Sequence, residues 1–363
     1  MEKKERSSNL EFLRIISMIL IIMHHYVIHG DFKVSNDFTL NKNIIQMASM
    51  GGKLGVDLFV LITGFFTVKS SGFKVKKLLR LLFEVQTYSI LFYVLFISFG
   101  NIPFSMEGIV KAVFPVTFSS YWFATNYILL YILSPFINQF LINISKRTYN
   151  KLLIVAFVIW VVIPTVTGAE LGLSYLFWFI LMYSVGAYIQ LFPMNYFEKT
   201  WLNIGIAGVT YSLVLLSVII FNFLGQKING FSDNSTYFMA YNKLPIVITA
   251  VSMFIGFKKL KIKNSKFING IASATFGIYL IHDHYLVRPF LWIYIFKNNS
   301  FYTSNFLVFH MVLTVGGVFV ISVLLDKLRI RVVEIPMFKF LEKINWLKSM
   351  SFNKFIKVKD KGY

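Results

Sequence analysis

Residues 11–29 read EFLRIISMILIIMHHYVIH, an apolar run that contains Arg14, His24 and His25. A helix of about 20 apolar residues crosses the hydrocarbon core of a bilayer, so this run predicts a membrane-spanning helix. A signal peptide would be followed by a small-x-small cleavage site, which the sequence does not show here. We therefore expect a retained first helix.

Apolar runs of similar length recur along the whole chain. Of the 363 residues, 56% are hydrophobic and only 14% are charged, whereas a soluble domain carries about 25% charge. The sequence therefore predicts an all-α integral membrane protein with about ten transmembrane helices. The expected spans are 10–29, 51–68, 79–99, 121–141, 152–168, 174–191, 201–224, 244–257, 271–295 and 305–326.

The basic residues concentrate between alternate spans. With both termini placed in the cytoplasm, 27 of the 36 Lys and Arg fall in cytoplasmic segments and seven fall in outer segments. Such an asymmetry is typical of membrane proteins, whose cytoplasmic loops retain positive charge. The net charge of +20 is then explained by topology and by attraction to anionic lipid, so no nucleic-acid partner is predicted.

The chain divides into one membrane domain and a tail. Residues 1–340 form the predicted domain, and 341–363 are expected to be a basic amphipathic tail on the cytoplasmic leaflet. Residues 109–118 are expected to be re-entrant or interfacial, and the polar outer loop 225–243 is expected to shape a substrate entrance. The chain has no cysteine, which excludes disulfides, thiolate catalysis and cysteine-ligated metals.

Ionisable side chains inside the first span are candidates for function, because a charge near the bilayer centre is costly. Arg14 and His25 are 11 residues apart, which puts them within about 20° of one helix face and about 16 Å apart along the axis. His24 points about 80° away from Arg14. We therefore expect one face to carry a cation near the cytoplasmic surface and an imidazole in the outer half of the membrane.

A second polar cluster, HDHYLVR at 282–288, lies in the expected ninth span. His282 or Asp283 is expected to line a cavity or to orient His25, and packing is equally expected for His284. The two histidines of this cluster lie about 200° apart on a helix, so they do not face one ion together. No metal site is predicted.

Two acidic residues in other spans have competing explanations. Asp57 is expected either to line a cavity or to pair with Lys53 one turn earlier. Glu84 follows Arg80 by one turn, so it is expected either to form a structural ion pair with Arg80 or to orient it toward a ligand.

The first span also carries a family signature. Arg14 and His25, preceded by Glu11, resemble the opening motif of the acyltransferase-3 family of membrane O-acyltransferases. Five later segments resemble motifs of the same family in the same order, one of them with Thr63 where Ser is usual. They are GVDLFVLITGFF (55–66), KKLLR (76–80), WFATNYILLYILSP (122–135), FGIYLIHDH (276–284) and RVVEIP (331–336).

This resemblance implies transfer of an acyl group, most often acetyl from acetyl-CoA, to a hydroxyl of a cell-surface glycan or its lipid-linked precursor. His25 is then expected to be the general base, or to carry the acyl group as a transient acyl-imidazole, since imidazole titrates near neutral pH. Arg14, with Glu11 beside it, is expected to bind donor phosphate or to polarise the thioester carbonyl. The protein is expected in the cell membrane.

The remaining expected site residues divide into two groups. Arg80, Lys77 and Lys76 are expected to contact the phosphates of coenzyme A on the cytoplasmic side, although membrane anchoring explains the two lysines equally well. The expected acceptor-binding residues are His282, Asp283, Asp57 and Trp122.

An exporter or flippase of glycan units is the alternative function, because a polar path through ten helices serves either purpose. Dependence on acyl-CoA would distinguish the two. The resemblance favours acetyl as the transferred group, with succinyl as the alternative.

Overall fold

The computed structural model describes residues 7–35, 37–70, 72, 75–193 and 199–343, and all regular structure in these ranges is helical. The helices are α1 (Ser8–Ile28), α2 (Leu40–Thr67), α3 (Val75–Ser98), α4 (Met106–Val113), α5 (Trp122–Asn143), α6 (Lys146–Phe157), α7 (Ile163–Thr167), α8 (Tyr175–Leu191), α9 (Thr200–Leu224), α10 (Leu244–Lys259), α11 (Lys266–Ala272), α12 (Thr275–His282), α13 (Val287–Pro289), α14 (Leu307–Arg329) and α15 (Ile335–Lys343). π-Helical segments connect α6 to α7 and α14 to α15, and another follows α13.

Eight helical stretches in the described ranges are long and apolar enough to cross a membrane, and α8 is a shorter apolar helix. This confirms the predicted all-α, multi-pass architecture. The expected span 305–326 is longer in the structure, because α14 continues through Ile330–Glu334 into α15. The expected interfacial segment 109–118 overlaps the short helix α4, and the predicted tail lies outside the described residues from 344 onward.

The expected ninth span, 271–295, is not one helix. It consists of α11, α12, α13 and the π-helical segment Phe290–Ile295, with a non-helical stretch between His282 and Val287. Pro289 accounts for this interruption, because its ring excludes the carbonyl of Tyr285 and it has no N–H to donate. The prediction of a continuous helix here was wrong. The interruption lies within the polar cluster 282–288, which holds His282, Asp283, His284 and Arg288.

The centre of the fold is the packing of α1 and α8 against α2. A Cβ at Gly55 would lie 2.6 Å from the Ser17 carbonyl oxygen of α1. A Cβ at Gly64 would lie 2.1 Å from the Tyr183 carbonyl oxygen of α8, and one at Gly186 would lie 2.2 Å from the Leu61 carbonyl oxygen. Glycines therefore let three backbones approach closely, as small residues commonly do between membrane helices.

Hydrogen bonds hold both ends of α1 against the last third of the chain. At its first turn, the Ser8 hydroxyl donates to Asn269 Oδ1 over 3.0 Å. At its other end, Asn298 Nδ2 donates to the Tyr26 carbonyl over 2.9 Å, and the Tyr26 hydroxyl lies 2.9 Å from His310 Nδ1. These contacts hold α1 against segments that precede and follow the second polar cluster, 282–288, in the chain.

Candidate active site

A cavity of about 230 Å³ lies at the far end of α1, and we call it the His25 cavity. Its apolar walls are both aromatic and aliphatic. The histidines and charged residues that line it come from the end of α1, from α2 and from the segment just after α12. They are His24, His25, His29, Lys53, Asp283 and Arg288. A concave, largely apolar space with a few convergent polar groups is typical of a small-molecule site.

A chain of two imidazoles determines the hydrogen-bonding state of His25. His282 Nδ1 lies 2.6 Å from the Ile278 carbonyl oxygen, which only accepts, so this nitrogen carries the proton. A neutral His282 then accepts at Nε2, and His25 Nδ1 donates to it over 2.9 Å. This leaves the lone pair of His25 on Nε2, the tautomer that a base or a nucleophile in the cavity requires.

The Asp283 carboxylate is the centre of the charged part of the site. Its Oδ1 accepts a hydrogen bond of 2.9 Å from Arg288 Nε, and the same oxygen lies 3.4 Å from His25 Nδ1 and 3.4 Å from His29 Nε2. The helix interruption makes this arrangement possible, because the chain turns back between Asp283 and Arg288. A negative charge this close to His25 stabilises a proton taken up by that imidazole.

The histidines considered from the sequence as metal ligands were His282 and His284, but the structure brings a different set of potential ligands together. His25, His29 and Asp283 each offer a ligand atom, and these atoms lie within 4.8 Å of one another. The guanidinium of Arg288 on the same carboxylate oxygen places a positive charge beside that position, which disfavours a cation there. His284 is turned elsewhere: its Nδ1 accepts from the Leu286 backbone N–H.

A second cavity, of about 240 Å³, lies nearer the start of α1, and we call it the Arg14 cavity. Its polar lining includes Glu11, Arg14, Thr63, Lys77 and Tyr127. Arg14 Nη1 forms an ion pair of 2.9 Å with Glu11 Oε1. The structure thus brings Arg14 and Lys77 into one space, and Glu11 holds the guanidinium of Arg14.

Arg14 and His25 therefore lie on the same side of α1 but line separate cavities. Their 11-residue separation corresponds to about 16 Å along the helix. The two side chains cannot both contact one small reacting group, so the possibility that Arg14 polarises the carbonyl attacked beside His25 is not supported by this placement.

The other residues expected at a donor site lie outside the Arg14 cavity. Arg80 Nε is 3.6 Å from Glu334 Oε1, and its side chain is 50% exposed. Lys76 forms an ion pair with Glu342. Both basic side chains are thus tied to α15 and its preceding segment.

The expected pairing of Glu84 with Arg80 is wrong. Glu84 Oε1 lies 3.0 Å from Arg329 Nη2, and these side chains are only 12% and 5% exposed. Arg329 also binds Asp326 and Glu334, each over 2.9 Å. Glu84 belongs to a buried ionic cluster between α3 and α14, where the low polarity makes a paired charge far more stable than an unpaired one.

The expected acceptor-binding residues are only partly together. Trp122 lines the His25 cavity and packs against Tyr175, with ring centroids 4.7 Å apart. Asp57 is fully buried and its Oδ1 accepts a 2.7 Å hydrogen bond from Trp178 Nε1. Asp57 is not among the residues that line the cavity, so its contact is with the protein core.

Several residues that line the cavities were not among the site residues expected from the sequence. His29 follows His25 by one turn and so faces the same side of α1, which the sequence spacing could have shown. Lys53 and Tyr279 line the His25 cavity, and Phe123 lines both cavities. These three come from different helices, so sequence spacing held no signal that they meet.

His24 also lines the His25 cavity, although it lies off the Arg14 face. Its Nδ1 donates to the Ser49 carbonyl of α2, and a Cβ on Gly52 would lie 2.4 Å from its ring. The ring is therefore held against α2, in contrast to His25, whose contacts are with His282 and Asp283.

Comparisons with known proteins add one finding to this geometry. A family model described as an acyltransferase domain, Acyl_transf_3, matches residues 7–327. That range contains both cavities and most of the helices described above. Searches of curated proteins and of solved structures give no significant match.

Proposed function

Because the chain belongs to the acyltransferase-3 family, we propose that it is a membrane O-acyltransferase that modifies a cell-surface glycan. It transfers an acyl group, acetyl from acetyl-CoA, to a hydroxyl of a polysaccharide or of its lipid-linked precursor in the cell membrane. The observation that carries the proposal is the hydrogen bond of 2.9 Å from His25 Nδ1 to His282 Nε2, because it leaves the other nitrogen of His25 free to act as a base.

The proposed chemical step takes place in the His25 cavity. His25 Nε2 takes the proton of the acceptor hydroxyl while the oxygen attacks the thioester carbonyl. Asp283, 3.4 Å from His25 Nδ1, stabilises the imidazolium that forms. The carbon–sulfur bond then breaks, and the imidazolium returns its proton to the leaving thiolate of coenzyme A.

Lys53 is our candidate for stabilising the oxyanion of the tetrahedral intermediate. Its side chain lines the same cavity as His25. An ammonium group held close to the reacting carbonyl stabilises the negative charge that develops on its oxygen. Trp122, packed on Tyr175, offers an apolar face against which a sugar ring can lie.

The donor is assigned to the Arg14 cavity and its surroundings. Arg14 and Lys77 line that cavity and suit the phosphates of coenzyme A. Arg80 and Lys76 lie on the same helix as Lys77, but their ion pairs with Glu334 and Glu342 offset their positive charge. The excess of Lys and Arg on one side of the predicted spans supports a cytoplasmic location for this end, where coenzyme A is found.

A covalent route uses the same residues. His25 Nε2 attacks the thioester itself, the carbon–sulfur bond breaks and the thiolate leaves. The acyl-imidazole then passes the acyl group to the acceptor oxygen, and the proton of the acceptor hydroxyl neutralises the thiolate of coenzyme A. The tautomer of His25 suits both routes. Rapid denaturation at neutral pH of enzyme mixed with acetyl-CoA labelled in its acetyl group distinguishes them, because only the covalent route leaves label on the protein.

The proposal is tested by the O-acyl content of surface polysaccharide, measured by proton NMR. Cells that lack the gene are complemented with the wild-type gene or with His25→Ala. We expect the wild type to restore the acyl ester and His25→Ala to restore none, although the variant is present in the membrane at the same level. Polymer that disappears from the surface while its acylation is unchanged would instead establish an exporter.

A further inference from the structure

Phe123 separates the two cavities. Its side chain lines both the His25 cavity and the Arg14 cavity and is 4% exposed. On the His25 side it packs against Tyr279, with ring centroids 5.3 Å apart. On the Arg14 side it stacks on Tyr127, with ring centroids 5.8 Å apart. Its ring therefore stands between the space assigned to the donor and the space that contains the base.

We propose that Phe123 is a gate on the acyl path, which determines the size of the acyl group and keeps water away from the thioester. This inference rests on the proposed function, since it needs a donor held near Arg14 and a base at His25. About 16 Å of helix separates those two residues. A donor whose phosphates stay at Arg14 must extend its thioester past the ring of Phe123 to reach His25.

The gate distinguishes two reactions of the same thioester. In the productive reaction, the acceptor oxygen attacks the carbonyl, and the carbon–sulfur bond breaks. In the unproductive reaction, water attacks instead and yields a carboxylate, a proton and free coenzyme A. Exclusion of water from an active site suppresses this kind of side reaction, and a ring that closes around the acyl arm supplies that exclusion here.

Phe179 provides a matched control. It is fully buried, it lies 5.6 Å from Phe123 between ring centroids, and it is not among the residues that line either cavity. Truncating Phe179 removes the same side-chain volume from the same region. If Phe123→Ala and Phe179→Ala differ in activity, the difference is due to the position of Phe123 between the cavities and not to a general loosening of the fold.

The first measurement is the release of free coenzyme A from acetyl-CoA by purified protein in nanodiscs without any acceptor. A thiol reagent measures this directly, because the chain has no cysteine and all signal comes from the product. We expect slow release by the wild type and by Phe179→Ala, and faster release, by roughly tenfold, by Phe123→Ala. Phe123→Leu, a smaller change, should lie between them.

The second measurement compares acyl groups and blocks the path. With butyryl-CoA in place of acetyl-CoA, the wild-type preference for acetyl should fall by at least about tenfold in Phe123→Ala, the lower end of the effect that one methylene exerts in an apolar pocket. Phe123→Trp should retain coenzyme A binding, measured by calorimetry, while the polysaccharide of cells expressing it loses its acyl ester.

Two outcomes overturn the gate and are distinguishable from failure of the proposed function. If Phe123→Ala and Phe179→Ala give equal thiol release and equal acyl preference, while both remain monodisperse and bind coenzyme A, the gate is refuted and the enzyme stands. If wild-type protein fails to bind coenzyme A and leaves polysaccharide unacylated, the proposed function falls and the gate falls with it.

Discussion

Under the proposed function, His25 depends on His282, because His282 Nε2 accepts the hydrogen bond from His25 Nδ1 and so leaves the lone pair of His25 on its Nε2. We expect His282→Ala to lower kcat by about 100-fold, a loss typical of a mispositioned general base. The KM for acetyl-CoA should stay near the wild-type value, because the proposed donor site is the other cavity. His282→Gln, which retains an acceptor, should recover part of the activity.

His24→Ala is the matched control for that experiment. His24 lines the same cavity, but its Nδ1 donates to a backbone carbonyl, and its ring packs on Gly52. We expect a milder loss than for His282→Ala or His25→Ala, measured as steady-state thiol release in the presence of acceptor. Equal losses of activity in all three variants would contradict the claim that the hydrogen bond between His25 and His282 prepares His25 to act as the base.

The sequence predicted which site residues share a face of one helix, but it did not predict which side chains meet between helices. Helical periodicity alone put Arg14 and His25 on one face, and the same rule would have added His29. The contact of Glu84 with Arg329 joins two helices far apart in the chain, so local spacing pointed to the nearer Arg80 instead. The burial of Asp57 against Trp178 likewise depends on which helices pack together.

At the scale of helices, α2 depends on glycines where it crosses α8. Gly64→Ala would place a Cβ 2.1 Å from the Tyr183 carbonyl oxygen, and backbone atoms cannot move aside as a flexible side chain does. Overpacking of this kind costs about 1–3 kcal/mol. We expect a Tm several degrees below the wild-type value, measured by thermal unfolding in detergent.

Gly205→Ala in α9 is the control, because a Cβ there meets no atom within 4 Å. Alanine is favoured over glycine inside a helix by about 0.5–1 kcal/mol, so the Tm should stay the same or rise. A Gly64→Ala protein as stable as Gly205→Ala would show that α2 and α8 are farther apart than described.

Hydropathy identified the helices of the bundle but missed the interruption at 283–286. Apolar residues lie on both sides of the interruption, so 271–295 resembles a continuous transmembrane helix when its hydropathy is averaged over the whole stretch. Pro289 and the successive polar residues carried the contrary signal, because proline removes a hydrogen bond and excludes a carbonyl one turn earlier. Non-helical backbone inside a membrane protein is stable where protein or a cavity surrounds it, and Asp283 and His284 in this segment are fully buried.

At the scale of the whole molecule, the orientation of the chain is testable because it contains no cysteine. Asn101 and Arg147 are exposed on segments predicted to lie on opposite sides of the membrane. With an impermeant maleimide, we expect Asn101→Cys to react in intact cells and Arg147→Cys to react only after permeabilisation. The unsubstituted protein, which should not react, is the background control, and the reverse pattern would invert the donor and acceptor sides.

The separation of the two cavities has a consequence for how the cell uses its coenzyme A. Under the proposed function, the nucleotide part of the donor stays at the Arg14 cavity while only the acyl group passes Phe123. The cell could then esterify polymers on its exterior without exporting or losing the carrier, and spent coenzyme A would return directly to the cytoplasmic pool for recharging. The supply of modified surface polymer would follow the metabolic state of the interior.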